Sequence, residues 1–260
     1  MKELFNNRLL SSNFLLRREK RKEKPLFILG SGPSLSSCDI TKLKKCYTMS
    51  FNRSYIAFDD WGFEPTYFAG LDHVVNNDNK EEYRNLIENS NINRFFFSAD
   101  EMSRTYLKSK KTSIVEIKED TPKEPDLNFL GKLAVSNSGL FGLQVAISLL
   151  RFKEVYLLGC DANYEEKVKG VELINGQFVS KSDNDPNHFR KDYYGKGTTY
   201  NKPGALIWHL PAWKWFYDKY IKSNKKNLKV YNCSKIGKLQ FFDFKDFNEI
   251  VRDISDYEVK

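Results

Sequence analysis

The stretch ILGSGPSL, residues 28–35, constrains the fold more than any other part of the chain. Leu26–Leu29 is apolar and β-prone, and it breaks at once into Gly30-Ser31-Gly32. Pro33 then presets φ for a first helical turn, which Ser34 and Leu35 continue. A buried strand that ends in a glycine turn at a helix start leaves N–H groups and a positive dipole end pointing one way, which suits a phosphate. Two readings of the motif stand side by side: an anion cradle, or glycines that only shape a tight turn. It is not a complete G-x-G-x-x-G, because Leu35 occupies the third glycine's place.

The rest of the chain repeats the strand-then-helix theme. CYTMSFNRSY (46–55) reads as a second strand running into a polar loop, PTYFAGLDHVV (65–75) as a third and NRFFFSAD (93–100) as a fourth. SIVEIK (113–118) makes a fifth, followed by a charged, proline-containing loop at 119–132. SGLFGLQVAISLLRF (138–152) has helical periodicity, and KEVYLLGCD (153–161) is the clearest buried strand. LKVYNCS (228–234) reads as a late strand and FKDFNEIVRDI (244–254) as a closing helix. Strands alternating with helices predict an α/β fold, a mostly parallel sheet with helices on both faces. Ser31, Asn52, Asp72 and Asp161 each follow a predicted strand, and ligands of open parallel sheets bind at the strands' carboxyl ends. Asx residues also favour turns for their own sake, so a shared pocket and plain loop chemistry both account for these endings.

The chain has 260 residues, 40% hydrophobic and 15% aromatic, enough for one substantial core. Residues 25–260 are expected to form a single α/β domain in which 162–204 is an active-site loop or lid. A net charge of +8 suits an acidic partner such as a nucleotide sugar or an anionic membrane surface. Nucleic acid is disfavoured, because none of its recognition motifs occurs. The four cysteines, Cys38, Cys46, Cys160 and Cys233, form no C-x-x-C pair, so neither zinc nor a disulfide framework is indicated, and a reducing cytosol is the expected compartment.

Residues 1–24 differ in kind. Leu4, Phe5, Leu9, Leu10, Phe14, Leu15 and Leu16 recur near helical spacing, and RREKRKEK follows at 17–24. An apolar helical face beside a basic cluster is the pattern of an interfacial helix peripheral on the inner face of the cytoplasmic membrane. Packing on the domain or on a partner subunit of a homo-oligomer is the other reading. The charge lies at the wrong end for a signal peptide.

Several chemistries lack their motifs. There is no G-x-x-x-x-G-K-[ST], no G-x-S-x-G and no H-E-x-x-H. His209, in ALIWHLPAWKWF, reads as a packing residue, whereas His73, beside Asp72 at a strand end, is a candidate to line the pocket. His188 lies in SDNDPNHFRKDYYGKG (182–197), a polar loop of a length that is more often functional than a plain connector. An imidazole suits proton removal at neutral pH. Base and turn-capping surface histidine are the two readings for it.

ILGSGPSL, SFNRSY, VSNSGLFGLQVAISLLRFKEVYLLGCDANY and DPNHF resemble, in that order, the bacterial sialyltransferases of glycosyltransferase family 42. The wider group they resemble includes the motility accessory factors and the pterin diphosphokinase-like proteins. The resemblance spans roughly residues 25–235 and implies a Rossmann-like, GT-A-like variant with a single nucleotide-binding domain. It implies a CMP-activated sialic acid or related sugar as donor, a glycan or glycolipid acceptor, no metal or other cofactor, and a histidine base. Residue by residue, Gly30, Ser31 and Gly32 would contact the CMP phosphate and ribose, and Asn52 would line the nucleotide pocket. Asn137, Ser138 and Gly139 would open the helix beneath the cytidine, with Gly159 and Asp161 near the sugar. His188 would be the base; Tyr164 with Tyr193 or Tyr194 would assist phosphate departure. The family has asparagine where Ser31 stands, and two tyrosines where this chain has only Tyr164.

Three functions follow. A metal-independent inverting glycosyltransferase leads. A diphosphokinase acting on a pterin-like alcohol is second, and would need Mg-ATP held by carboxylates such as Asp72 and Asp161. A non-catalytic nucleotide-binding protein is third.

Overall fold

The computed structural model describes residues 23–117, 137–201, 209–223 and 227–259. The apolar and basic run at 1–22 and the charged loop at 119–132 lie outside the described residues. Strands run β1 (Leu26–Leu29), β2 (Tyr47–Phe51), β3 (Tyr67–Gly70), β4 (Arg94–Ser98), β5 (Thr112–Val115) and β6 (Glu154–Leu158). A hairpin of β7 (Val171–Ile174) and β8 (Gln177–Ser180) follows, then β9 (Thr199–Tyr200), β10 (Lys229–Asn232) and β11 (Asp243–Phe244). The α-helices are α1 (Phe58–Trp61), α2 (His73–Asp78), α3 (Lys80–Asn89), α4 (Glu101–Thr105), α5 (Ser138–Ser148), α6 (Leu210–Phe216) and α7 (Phe247–Ile250).

Among the described residues, eight strands form one parallel sheet in the order β11-β10-β6-β1-β2-β3-β4-β5. The chain builds outward from β1 to β5, then crosses back to lay β6 on β1's other side. The fold is therefore α/β with the strand order reversing between β1 and β6, and such a reversal opens a crevice above the strand ends.

Alternation along the strands divides the core in two. Leu26, Ile28, Met49, Phe51, Val155 and Leu157 face α5 and α6, whereas Phe27, Leu29, Phe68, Tyr156 and Leu158 face Trp61, Tyr83, Ile87 and Phe247. Covering both faces is what makes LFIL and VYLL continuous apolar runs, since neither set of side chains meets water. Helix α5 is buried from Leu140 to Ser148, which explains a sequence that is apolar almost all round.

Local chemistry sets the boundaries. The second predicted strand stops at Phe51, where Asn52 takes φ 51° and starts a 3-10 stretch, Asn52–Ala57. The third stops at Gly70 because Asp72 caps α2, accepting from Val74 N at 2.8 Å. The turn after β1 is a 3-10 helix, Pro33–Ser37, and the predicted closing helix is the single turn α7 followed by a 3-10 stretch, Val251–Asp256. Much of the segment expected as a lid is structured: β7, β8 and β9 form an antiparallel sheet whose hairpin turns on Asn175 and Gly176, both at positive φ.

Candidate active site

Above the β1–β6 reversal lies a pocket of about 650 Å³. The turn after β1 (Gly30, Ser31, Gly32), Asn52 and Asp72 form part of its wall. Asn137, Ser138 and Gly139 at the start of α5, with Gly159 and Asp161 after β6, form another part. Tyr164, His188 and Tyr194 complete the sequence-predicted set that lines it. Tyr193 does not.

The glycine turn corrects the simplest sequence reading. Gly30 N–H donates to Leu158 O at 2.7 Å, Gly32 N–H to Gly159 O at 2.8 Å, and Ser34 N–H to Asp161 Oδ2 at 2.8 Å. These N–H groups hold β1's turn against β6's turn and are not free to cradle an anion. The glycines are required by proximity: a Cβ on Gly30 would meet Gly159 O at 2.5 Å, and one on Gly32 would meet Asp161 Oδ2 at 2.5 Å.

The two strand-end carboxylates proposed for a kinase are also committed. Asp161, 4% exposed, takes Ser34 Oγ and N–H on its two oxygens. Asp72 caps α2 and accepts Asn201 Nδ2 on both oxygens, at 2.7 and 2.9 Å. Among the described residues, no cluster of three His, Cys, Asp or Glu side chains is placed to hold a metal ion.

The anion-favouring group in the pocket is the start of α5, an eleven-residue helix whose positive dipole end lies in the pocket wall. Asn137 caps it by accepting from Leu140 N at 2.9 Å. Asn52 donates from Nδ2 to Ser138 Oγ at 3.2 Å, while its buried Oδ1 has no hydrogen-bond partner among the described residues.

His188 is no surface turn cap. Its Nδ1 lies 2.6 Å from Asp185 Oδ2, with the two side chains 13% and 6% exposed. Asp185 is fixed in turn by the N–H groups of Asn187 at 2.9 Å and Tyr194 at 3.1 Å. A carboxylate on Nδ1 fixes the tautomer with the proton there and leaves the Nε2 lone pair for the pocket. The loop is fastened to the glycine turn: Phe189 N–H donates to Ser31 O and Ser36 Oγ to Phe189 O, both at 2.9 Å.

The tyrosines divide by position. Tyr193 is 0% exposed; its hydroxyl donates to Phe51 O at 3.1 Å and therefore accepts from Ser31 Oγ at 2.8 Å. It is a buried support under His188, not a group facing the pocket, which corrects the catalytic expectation for it. Tyr194 meets His188 edge-on at 4.8 Å and stacks on Tyr200 at 4.2 Å. Burial holds the Tyr164 phenol well above its ordinary pKa, so it stays protonated.

His73 is exposed and outside the pocket, whereas His209, expected to be a packing residue, lines it. Sequence reasoning also missed Asp185, Asn187 and Asn201. Asn187 pairs with the backbone of Glu165 in both directions, at 2.6 and 2.9 Å, clasping the Tyr164 segment to the histidine loop. The signal was in DNDPNH itself, where an Asx turn around Pro186 presents one carboxylate three residues before the histidine.

No protein family and no curated protein matches the chain. Solved structures similar to it include the sialyltransferase CstII from Campylobacter jejuni in complex with a substrate analogue, cytidine-5'-monophosphate. That match is 15% identical with a TM-score of 0.48, and covers 91% of this chain and 87% of that one. A second is the MAf glycosyltransferase from Magnetospirillum magneticum AMB-1, 18% identical with a TM-score of 0.46, covering 91% of this chain and 37% of that one.

Proposed function

We propose that this chain is a metal-independent inverting glycosyltransferase that moves an acidic sugar, sialic acid or a related nonulosonate, from a CMP-activated donor to a glycan hydroxyl. The observation that carries the reading is the Asp185–His188 pair, 2.6 Å apart, in the wall of a pocket that also contains the α5 N-terminus. The choice of a cytidine donor rests on the motif resemblance set out above.

In this mechanism the acceptor's O–H proton passes to His188 Nε2 as its oxygen bonds to the anomeric carbon. The bond from that carbon to the phosphate oxygen breaks, and the electron pair leaves with CMP. Asp185 holds the imidazole in the accepting tautomer and stabilises the imidazolium that forms. The α5 N-terminus and the protonated Tyr164 hydroxyl face the growing charge on the phosphate. A positioned donor of this kind is typically worth about 10²–10³ in rate and a general base about 10²–10⁴.

The diphosphokinase reading has less support. It needs carboxylates free to hold Mg²⁺, and Asp72 and Asp161 each take hydrogen bonds from within the protein on both oxygens or at a helix cap. A thermal-shift series with CMP, CDP, UDP, GDP and ATP, each with and without Mg²⁺, tests the choice. CMP at about a hundred times its Kd is expected to add about 2.7 kcal/mol without metal. A shift with ATP and Mg²⁺ but none with CMP would transfer the assignment to the kinase.

A further inference from the structure

His209 is the pocket histidine that the mechanism above leaves unused, and its surroundings are unlike those of His188. It lines the same pocket immediately before α6, and its ring stands edge-on to Tyr164 with centroids 5.6 Å apart and planes at 74°. Among the described residues, no carboxylate pairs with it. Its Nδ1 is buried and has no hydrogen-bond partner among the described residues.

That orphan nitrogen fixes the tautomer. A buried N–H without an acceptor is the rarer and costlier defect, whereas an unpaired acceptor is tolerated somewhat more often. The proton therefore belongs on Nε2, the nitrogen left to the pocket. Burial pushes the imidazole's pKa down to about 4, with nearby Asp72 pulling weakly the other way. The ring is thus neutral through the working range, and Nε2–H is a fixed donor on a ring that stands edge-on to Tyr164, whose hydroxyl burial also keeps protonated. The pocket then holds two histidines with opposite roles. His188, with its carboxylate, accepts a proton; His209, without one, can only donate a hydrogen bond.

We infer that His209, as its neutral Nε2–H tautomer, is a second donor beside Tyr164 to the phosphate of the departing nucleotide, an inference that rests on the transferase reading. No proton leaves His209 in the step. The electron pair of the broken bond stays on the phosphate oxygen, and the two donors share the charge it gains.

The experiment compares the affinities of CMP and cytidine for the full chain by calorimetry. A donor to the phosphate contributes to the first ligand and not to the second. His209→Phe is expected to cut the preference for CMP over cytidine by about 10-fold or more, as befits a lost hydrogen bond to a charged group. His209→Gln, which keeps an N–H, is expected to retain most of that preference. A histidine that only packs would lower both affinities together. Side-chain ¹⁵N NMR gives an answer that needs no variant, since the chain has three histidines. The His209 Nε2 resonance is expected to carry the proton and to move with CMP but not with cytidine. A CMP preference that persists in folded His209→Phe, or an Nε2 signal indifferent to CMP, overturns the inference alone. A wild-type chain that binds neither ligand overturns it together with the transferase reading.

Discussion

His188 lies flat on Tyr193, with ring centroids 4.3 Å apart and planes within 9°. Tyr193 in turn is pinned from its far end by Ser31 and by the Phe51 carbonyl, so one buried phenol couples the His188 loop to the ends of β1 and β2. The stack restricts ring tilt while Asp185 restricts ring rotation. Both constraints bear on where Nε2 points.

Tyr193→Phe keeps the stack and removes the hydroxyl, leaving Ser31 Oγ and the Phe51 carbonyl without that partner. Stability is expected to fall by about 1–2 kcal/mol, read from urea unfolding, with kcat changed less than threefold. Tyr193→Ala removes the stack as well and should lower kcat by at least ten times more than Tyr193→Phe does. Equal activity in both variants would show that the stack does not orient the imidazole.

His188→Ala should lower kcat by about 10²–10⁴ while CMP affinity changes little, because the nucleotide is assigned to α5 and Asn52. Asp185→Asn keeps the shape of the turn but presents an amide to Nδ1, which no longer stabilises the imidazolium. It is expected to show only part of that loss, and the double variant should be no worse than His188→Ala, since the two residues act as a unit. Additive losses in the double variant would separate Asp185 from the base.

The strand framework was legible in the sequence because a sheet covered on both faces must be written as apolar runs. LFIL and EVYLL announce themselves for that reason. The fates of the polar endings were not legible, because Asp72, Asp161 and Asn52 look alike as strand-end residues. One caps a helix, one locks a neighbouring turn and one adopts φ 51° beneath α5. The glycine turn's N–H groups vanish into β6 for a similar reason: nothing in GSGPS reveals that the partner strand lies some 130 residues later. His209 was misread because ALIWHLPAWKWF is aromatic throughout, and aromatic context signals core without saying which residue faces a cavity.

Gly32→Ala tests the close approach at that turn. The new methyl group would meet both Asp161 Oδ2 and Gly159 O, at 2.5 and 2.7 Å, and Asp161 is held in place by Ser34. Overpacking against fixed neighbours costs about 1–3 kcal/mol, occasionally more. A melting temperature lowered accordingly is expected, together with weakened CMP binding as the turn shifts into the pocket. An unchanged melting temperature would mean the two turns part without cost.

The acid side of the stability curve should carry the signature of His209. Its folded-state pKa of about 4 lies below the ordinary 6.5 because burial disfavours the charged ring. Between those values the unfolded chain binds the extra proton, so stability is fully present above about pH 6.5 and is lost as pH falls towards 4. With about 1.36 kcal/mol per unit, the loss approaches about 3 kcal/mol and then levels off. Asp78 works in the opposite direction, since burial raises its carboxyl and protonation relieves it. The total slope therefore mixes the two, and the informative quantity is the difference between wild type and His209→Phe. The variant's own change in packing shifts its curve by an amount independent of pH, whereas the lost ionisation flattens it only between about pH 6.5 and 4. Urea unfolding at half-unit steps across that window is expected to show the wild type losing stability relative to the variant as pH falls. Curves that stay parallel would mean that His209 takes up its proton as readily in the folded pocket as in water.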